Sequence, residues 1–120
     1  AAPFVPVTDL AGGCLRSSGN YPSLLAEDLA AELADACCSA ATTADVRGRQ
    51  QVAGGRGTLP PQLRAVRRGT DLVTVGLGGN DEGLFTSLIG CAASGSCTPP
   101  DPGLFARTAR RLADVLRAVR

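Results

Sequence analysis

Two adjacent polar residues, Asn80 and Asp81, follow a glycine-rich run, Gly76 to Gly79, at the end of a short apolar segment. Glycines at such a place let the backbone turn sharply and let a ligand come close. Ligands of open α/β sheets bind at the carboxyl ends of the strands, so Asn80 is at a position where binding and catalytic residues are common. Its neutral amide is a donor suited to a developing negative charge on oxygen, which makes Asn80 a candidate for stabilising an oxyanion.

Two other interpretations of this stretch stay open. Asn80 or Asp81 could be only the N-cap of the helix that follows, which is ordinary turn chemistry. A dinucleotide loop is a weaker alternative. Gly76-Leu77-Gly78 begins such a fingerprint, but Asp81 occupies the position of the third glycine and would repel a pyrophosphate. No Gly-Lys-Ser/Thr follows the run, which excludes a P-loop.

Histidine is absent from all 120 residues, so neither a Ser-His-Asp nor a Cys-His arrangement can be assembled from this chain alone. The cysteines show neither a zinc spacing nor Cys-x-x-Cys, and we expect no metal and no cofactor. The net charge is +1 and no apolar run is long enough to span a bilayer. We therefore expect no nucleic-acid partner and no stable membrane insertion.

The cysteine content of the chain is high, with 5 in 120 residues. The short stretch from Cys91 to Cys97 contains Gly95 and other small residues, so a disulfide could close it into a loop. Disulfides form in oxidising compartments, and we therefore expect a secreted, extracellular protein. The odd count leaves one thiol unpaired.

The elements that must position these residues alternate between helices and strands. Apolar spacing and turn residues predict strands over 33–38 and 72–75, and helices over 21–33, 60–68, 82–89 and 102–120. The predicted buried stripe of the last helix is Phe105, Ala109, Leu112, Leu116 and Val119. Residues 47–58 and 1–20 are predicted loops, and the latter could equally be a frayed terminus. The small residues of 39–43 form either a ligand-facing turn or a simple turn capped by Thr42 or Thr43.

Strands that alternate with helices imply a parallel sheet, but two strands are too few for a stable one. We therefore expect residues 1–120 to be a single, partial α/β domain. Its fold would be a three-layer α/β/α sandwich with a parallel sheet, truncated at both ends.

Four segments, in this order, resemble the SGNH hydrolases, also called GDSL-type esterases and lipases. The likeness is greatest to their secreted, disulfide-bonded bacterial branch and covers most of residues 10–91. The segments are Cys-Leu-Arg-Ser-Ser-Gly-Asn-Tyr-Pro at 14–22, Asp-Ala-Cys-Cys-Ser-Ala-Ala-Thr-Thr-Ala-Asp at 35–45, Pro-Pro-Gln at 60–62 and Thr-Asp-Leu-Val-Thr-Val-Gly-Leu-Gly-Gly-Asn-Asp at 70–81. The resemblance implies a flavodoxin-like α/β/α sandwich, an acyl-ester or lipid substrate, a serine nucleophile, no metal and a monomeric intact protein.

The resemblance also assigns roles to residues of this chain. Asn80 matches the oxyanion-hole Asn of the family's Gly-x-Asn-Asp motif, in which Gly78, Gly79 and Asp81 are structural. Ala40 stands where the family has a Gly whose backbone N–H is the second oxyanion donor. Ala has the same N–H and can serve if its φ and ψ are open to a residue with a Cβ.

The family's nucleophile motif, Gly-Asp-Ser, would precede Ala1, and its Asp-x-x-His motif would follow Arg120. We therefore expect a middle fragment that is inactive alone, because the nucleophile, the Asp and the His are outside the chain. The alternative is a non-catalytic, disulfide-bonded α/β binding module, which would have its own native start and stop in place of those two motifs.

The resemblance pairs Cys38 with Cys14, whereas Cys37 stands where the family commonly has Ser. Adjacent residues of a strand point to opposite faces, so only one of Cys37 and Cys38 can meet the loop that carries Cys14. We expect the disulfides Cys14–Cys38 and Cys91–Cys97. Cys37 would then be unpaired and packed as a small buried hydrophobe.

Overall fold

A computed structural model describes residues 13–52 and 57–120, so most of the loop predicted over 1–20 lies outside the described residues. Helix α1 spans Tyr21–Asp28, α2 spans Leu84–Ser94 and α3 spans Gly103–Ala118. Strand β1, Gln50–Gln51, pairs antiparallel with β2, Thr58–Leu59. Short 3₁₀ turns span Thr43–Val46, Gln62–Ala65 and Asp81–Gly83.

Helix α1 begins where the sequence predicts and ends earlier. The side-chain oxygen of Asn20 accepts hydrogen bonds from the Ser23 backbone N–H at 3.0 Å and from its hydroxyl at 2.7 Å, which caps the helix. The helix stops at Asp28, and Ala30 has a left-handed φ of 48°. Leu29 is 56% exposed, so the predicted stripe has no apolar surface to hold it in a helix.

The two segments predicted as strands, 33–38 and 72–75, have no strand pairing among the described residues. Leu72 and Val73 are 59% and 36% exposed. A buried parallel strand needs neighbours that satisfy its backbone groups and cover both of its faces. Part of the predicted loop 47–58 instead forms the β1–β2 pair, and that prediction was wrong there. The parallel sheet and the three-layer sandwich stay predictions.

Helix α3 packs against the 3₁₀ turn Thr43–Val46, and the buried apolar side chains of the described residues are few. They are Cys14, Ala41, Val46, Val52, Leu104 and Val115. The predicted stripe of α3 was wrong in register, because Leu104 and Val115 are buried while Phe105 and Leu116 are 59% and 47% exposed. The face of α3 that packs is set by the 3₁₀ turn beside it.

The described residues contain two disulfides, and they are the pairs expected from the sequence. Cys14–Cys38 has a Cα–Cα distance of 4.4 Å, and Cys91–Cys97 has one of 4.6 Å. Cys37 is a free thiol and is exposed, so the prediction that it is buried was wrong. No strand lies beside it in the described structure to cover it.

Helix α2 presents large apolar side chains to solvent. Phe85 is 56% exposed, and Leu88 and Ile89 are each 54% exposed. Their spacing places them on one side of the helix. Among the described residues, no helix has the length and apolar character needed to cross a bilayer.

Candidate oxyanion site

The structure brings the turn that ends in Asn80 against the turn that contains Ala40 and Ala41. The side-chain amide of Asn80 donates to the carbonyl oxygen of Ala41 at 3.0 Å. The backbone N–H of Ala41 in turn donates to the carbonyl of Cys38 at 3.2 Å, which closes a tight turn around Ala40. The two predicted oxyanion donors therefore belong to two turns in direct contact.

Ala40 has a backbone conformation that favours glycine. Its φ is 63°, in the left-handed region where a Cβ is unfavourable. The residue is exposed, and none of the described residues accepts a hydrogen bond from its backbone N–H. Ala40 thus keeps a free donor, at the cost of a strained φ that a glycine would adopt readily.

Asp81 binds the turn that follows Ala40. It is 2% exposed, and its carboxylate accepts hydrogen bonds from the backbone N–H of Thr43, at 2.9 Å, and from the Thr43 hydroxyl. Nη1 of Arg111, on α3, lies 3.5 Å from the same carboxylate. Neither Asn80 nor Asp81 caps the following helix through its side chain, so the simple capping interpretation does not describe their contacts.

Glu82 connects this turn to α3 a second time. Its carboxylate accepts from Nη2 of Arg107 at 2.6 Å and lies 2.9 Å from Nη2 of Arg111. The hydrogen bond from Arg107 is the main cause that lowers the pKa of Glu82. Glu82 itself has a φ of 52°, so two arginines surround a residue in a left-handed conformation.

A cavity of about 250 Å³ opens beside Asn80. Its lining residues are Ala41, Gly76, Leu77, Gly78, Gly79, Asn80 and Phe85. Gly78 has a φ of 105°, and a Cβ there would come within 2.9 Å of Cγ2 of Thr108. A Cβ on Gly79 would meet nothing within 4 Å. Of these two positions, only Gly78 therefore requires glycine for steric reasons.

A second cavity of about 480 Å³ is lined by charged residues that include Arg47, Asp81, Glu82, Arg111 and Asp114. Asp81 and Glu82 form ion pairs with Arg111, and Asp114 forms one with Arg117, so these carboxylates are already satisfied within the protein. In the described part of the chain, no group of three or more His, Cys, Asp or Glu residues could hold a metal ion.

Comparisons with known proteins give a consistent answer. Lipase 2 of Streptomyces coelicolor is 46% identical over 83 residues, which cover 68% of this chain and 26% of that protein. A lipase of Streptomyces rimosus is 35% identical over 85 residues, 70% of this chain and 27% of the lipase. An esterase of Streptomyces scabiei is 32% identical over 100 residues, 76% of this chain and 29% of the esterase. This chain is similar to lipases and esterases.

The chain spans between 26% and 29% of the length of these relatives. No family model matches the chain, and no solved structure does.

Two residues that contact Asp81, Thr43 and Arg111, are not predicted as site residues from the sequence. Thr43 was considered only as a possible helix cap. The cap is instead made by Thr42, whose N–H and hydroxyl both donate to Asp45 at 2.8 Å. A Thr-x-x-Asp pattern is a signal for that cap, and it could have shown that Thr43 was free to bind elsewhere.

Proposed function

We propose that this chain is part of a secreted serine ester hydrolase of the SGNH type, and that it supplies the oxyanion hole. The relatives named lipase and esterase support ester hydrolysis. The observation that carries the proposal is the hydrogen bond from Asn80 to Ala41, which holds the side-chain amide against the turn that contains Ala40. The two disulfides support secretion.

In the proposed reaction, a serine oxygen attacks the acyl carbonyl of an ester or lipid substrate, and the carbonyl π electrons move onto the carbonyl oxygen. An Asn amide has two N–H donors, and the bond to Ala41 uses one. The other donor of Asn80 and the N–H of Ala40 would bind the oxyanion. One such donor is worth about 3–4 kcal/mol of transition-state stabilisation.

The serine and its histidine base would come from other parts of the whole protein, because this chain contains no His. We propose that those parts also complete the parallel sheet of a three-layer sandwich, in one monomeric domain. The exposure of Leu72, Val73 and the apolar side of α2 supports this, since strands and helices packed there would bury those side chains.

The test is Asn80→Ala in the complete hydrolase. The variant loses a donor used mainly in the transition state, so we expect kcat to fall by about 10²–10³ with a smaller change in KM. Asn20→Ala is the control, since Asn20 caps α1, donates to Asp35 and is not one of the proposed oxyanion donors. It should lower stability and leave kcat within about twofold.

An Asn80→Ala variant with kcat within about twofold of wild type would reduce Asn80 to a link between two turns. A complete protein without the serine and histidine motifs would favour the alternative, a disulfide-bonded binding module.

A further inference from the structure

We propose that Asp81 is a positioning residue. It holds the Ala40–Thr43 turn so that the Ala40 N–H and the Asn80 amide can both donate to the same substrate oxyanion. The inference rests on the proposed function. It assigns to a buried carboxylate a role in the reaction that does not involve touching the substrate. The role is exerted through Thr43 and depends on Arg111.

Thr43 is bound to Asp81 through two of its groups. Its backbone N–H and its hydroxyl both donate to the Asp81 carboxylate, one bond to each oxygen. Thr43 follows Ala40 by three residues, in a turn whose start is fixed by the Cys14–Cys38 disulfide. The turn is therefore tied at Cys38, at Ala41 by Asn80, and at Thr43 by Asp81.

Asn80 and Asp81 are consecutive in the chain. Asn80 binds the carbonyl of Ala41, and the next residue binds the N–H of Thr43. Two neighbouring side chains thus bind the same turn, Asn80 as a donor and Asp81 as an acceptor. A shift of this turn would move the Ala40 donor relative to the Asn80 donor, and oxyanion stabilisation depends on preorganised donors.

The charge of Asp81 is compensated by α3. A buried carboxylate is stable only when it is paired and hydrogen-bonded. Arg111 lies 3.5 Å from Asp81 and 2.9 Å from Glu82, so α3 supplies the counter-charge for both acids. A neutral amide at residue 81 has one acceptor oxygen and an NH2 donor, so the two Thr43 donors would no longer have one acceptor oxygen each.

The experiment uses the complete hydrolase with Asp81→Asn, Thr43→Val and their double variant. We expect each single variant to lower kcat by about tenfold with KM within about threefold, as a transition-state effect should. The kcat of the double variant should be close to that of the less active single variant, since both changes remove the same hydrogen bonds between Asp81 and Thr43. Thr43→Ser keeps the hydroxyl and should restore kcat to within about twofold.

Asp114→Asn is the matched control, because its carboxylate is 71% exposed and pairs with Arg117 on the same helix. It should leave kcat and KM unchanged. Affinity for a boronic acid that mimics the tetrahedral intermediate is measured for all variants. It should fall in step with kcat for Asp81→Asn and Thr43→Val, and not for the control.

A lowered melting temperature with unchanged kcat and unchanged boronic-acid affinity would overturn the proposal and leave Asp81 a structural residue only. If Asp81→Asn does not fold, the Thr43→Val and Thr43→Ser pair decides alone. The two proposals can fail separately. Loss of kcat in Asn80→Ala without loss in Thr43→Val would refute only the positioning role, whereas an unaffected Asn80→Ala variant would refute the oxyanion assignment itself.

Discussion

The side-chain nitrogen of Asn80 lies 3.0 Å from the carbonyl oxygen of Ala41 and donates to it across a sequence separation of 39 residues. This bond connects the turn that ends in Asn80 to the turn that contains Ala40 and Ala41. It also uses one of the two amide hydrogens of Asn80 and leaves the other for a ligand.

Ala40→Gly should stabilise the protein. The left-handed φ of 63° costs an alanine about 1–2 kcal/mol, and a glycine avoids this cost. Greater freedom of the unfolded chain takes back about 0.5–1 kcal/mol, so we expect a net gain of roughly 0.5–1 kcal/mol. Urea denaturation of the complete protein measures it.

The control for this change is Ala44→Gly, in the neighbouring 3₁₀ turn, where φ is not positive. It should destabilise by about 0.5–1 kcal/mol. Effects of the same sign at both positions would mean that Ala40 is not strained in solution.

Gly78→Ala should destabilise the protein by about 1–3 kcal/mol, since it combines a φ of 105° with a contact of 2.9 Å to Thr108. Gly79→Ala is the matched neighbour, with no positive φ and open space around it. It should stay within about 0.5 kcal/mol of wild type. Thermal unfolding measures the stability of the two variants. Equal losses of stability would contradict the conclusion that glycine is needed at Gly78 and not at Gly79.

The purified 120-residue chain should not hydrolyse p-nitrophenyl esters. It has no His to serve as general base, and none of its serines lies in Gly-Asp-Ser or Gly-x-Ser-x-Gly. The complete hydrolase is the positive control in the same assay. Robust turnover by the chain alone would show that its chemistry does not depend on the missing motifs.

How much of this could be predicted depends on how local each feature is. The start of α1 follows from Asn20 and the proline after it, which act within one turn of helix. The strand prediction for 72–75 depends on partners that the described chain does not provide, and no local pattern can supply them. The helix predicted over 60–68 is only the 3₁₀ turn Gln62–Ala65, because the backbone becomes extended at Val66.

The same distinction applies to the site. The role of Asn80 is predicted from its residue type and position as well as from a resemblance, whereas the role of Ala40 rests on the resemblance. The structure adds that their turns touch. The pairing of Asp81 with Thr43 joins residues 38 positions apart through side chains, and no periodicity reports such a contact. The register error in α3 has the same cause, since the face that Val115 presents is chosen by a distant turn.

Non-reducing peptide mapping should find Cys14–Cys38 and Cys91–Cys97, with Cys37 free. The chain-entropy relation gives about 3.5 kcal/mol for the larger loop and about 2 kcal/mol for the smaller. Selective loss of the first bond, in Cys14→Ser with Cys38→Ser, should therefore lower stability more than Cys91→Ser with Cys97→Ser. A peptide that links Cys14 to Cys37 would contradict the assignment.

Alkylation of Cys37 should be slow at neutral pH although the residue is exposed. Partial burial of the thiol, its hydrogen bond to Asp35 and the charge of Asp35 raise the pKa of Cys37 to about 11. Because the thiolate is the nucleophile, the iodoacetamide rate should still be rising between about pH 9 and pH 11. Asp35→Asn should move the midpoint down, and glutathione is the reference thiol. A wild-type midpoint at or below that of glutathione would contradict the role of Asp35.

Arg111 has a consequence for the order in which the molecule can form. Ala41, Thr43, Asn80 and Asp81 all precede α3 in the chain, yet the buried carboxylate of Asp81 has its counter-charge only once α3 has docked. Until then the acid gains more from hydration than from the Thr43 turn. In a chain that folds from its N-terminus, the oxyanion turn would therefore be among the last features to settle, because it waits for the docking of α3.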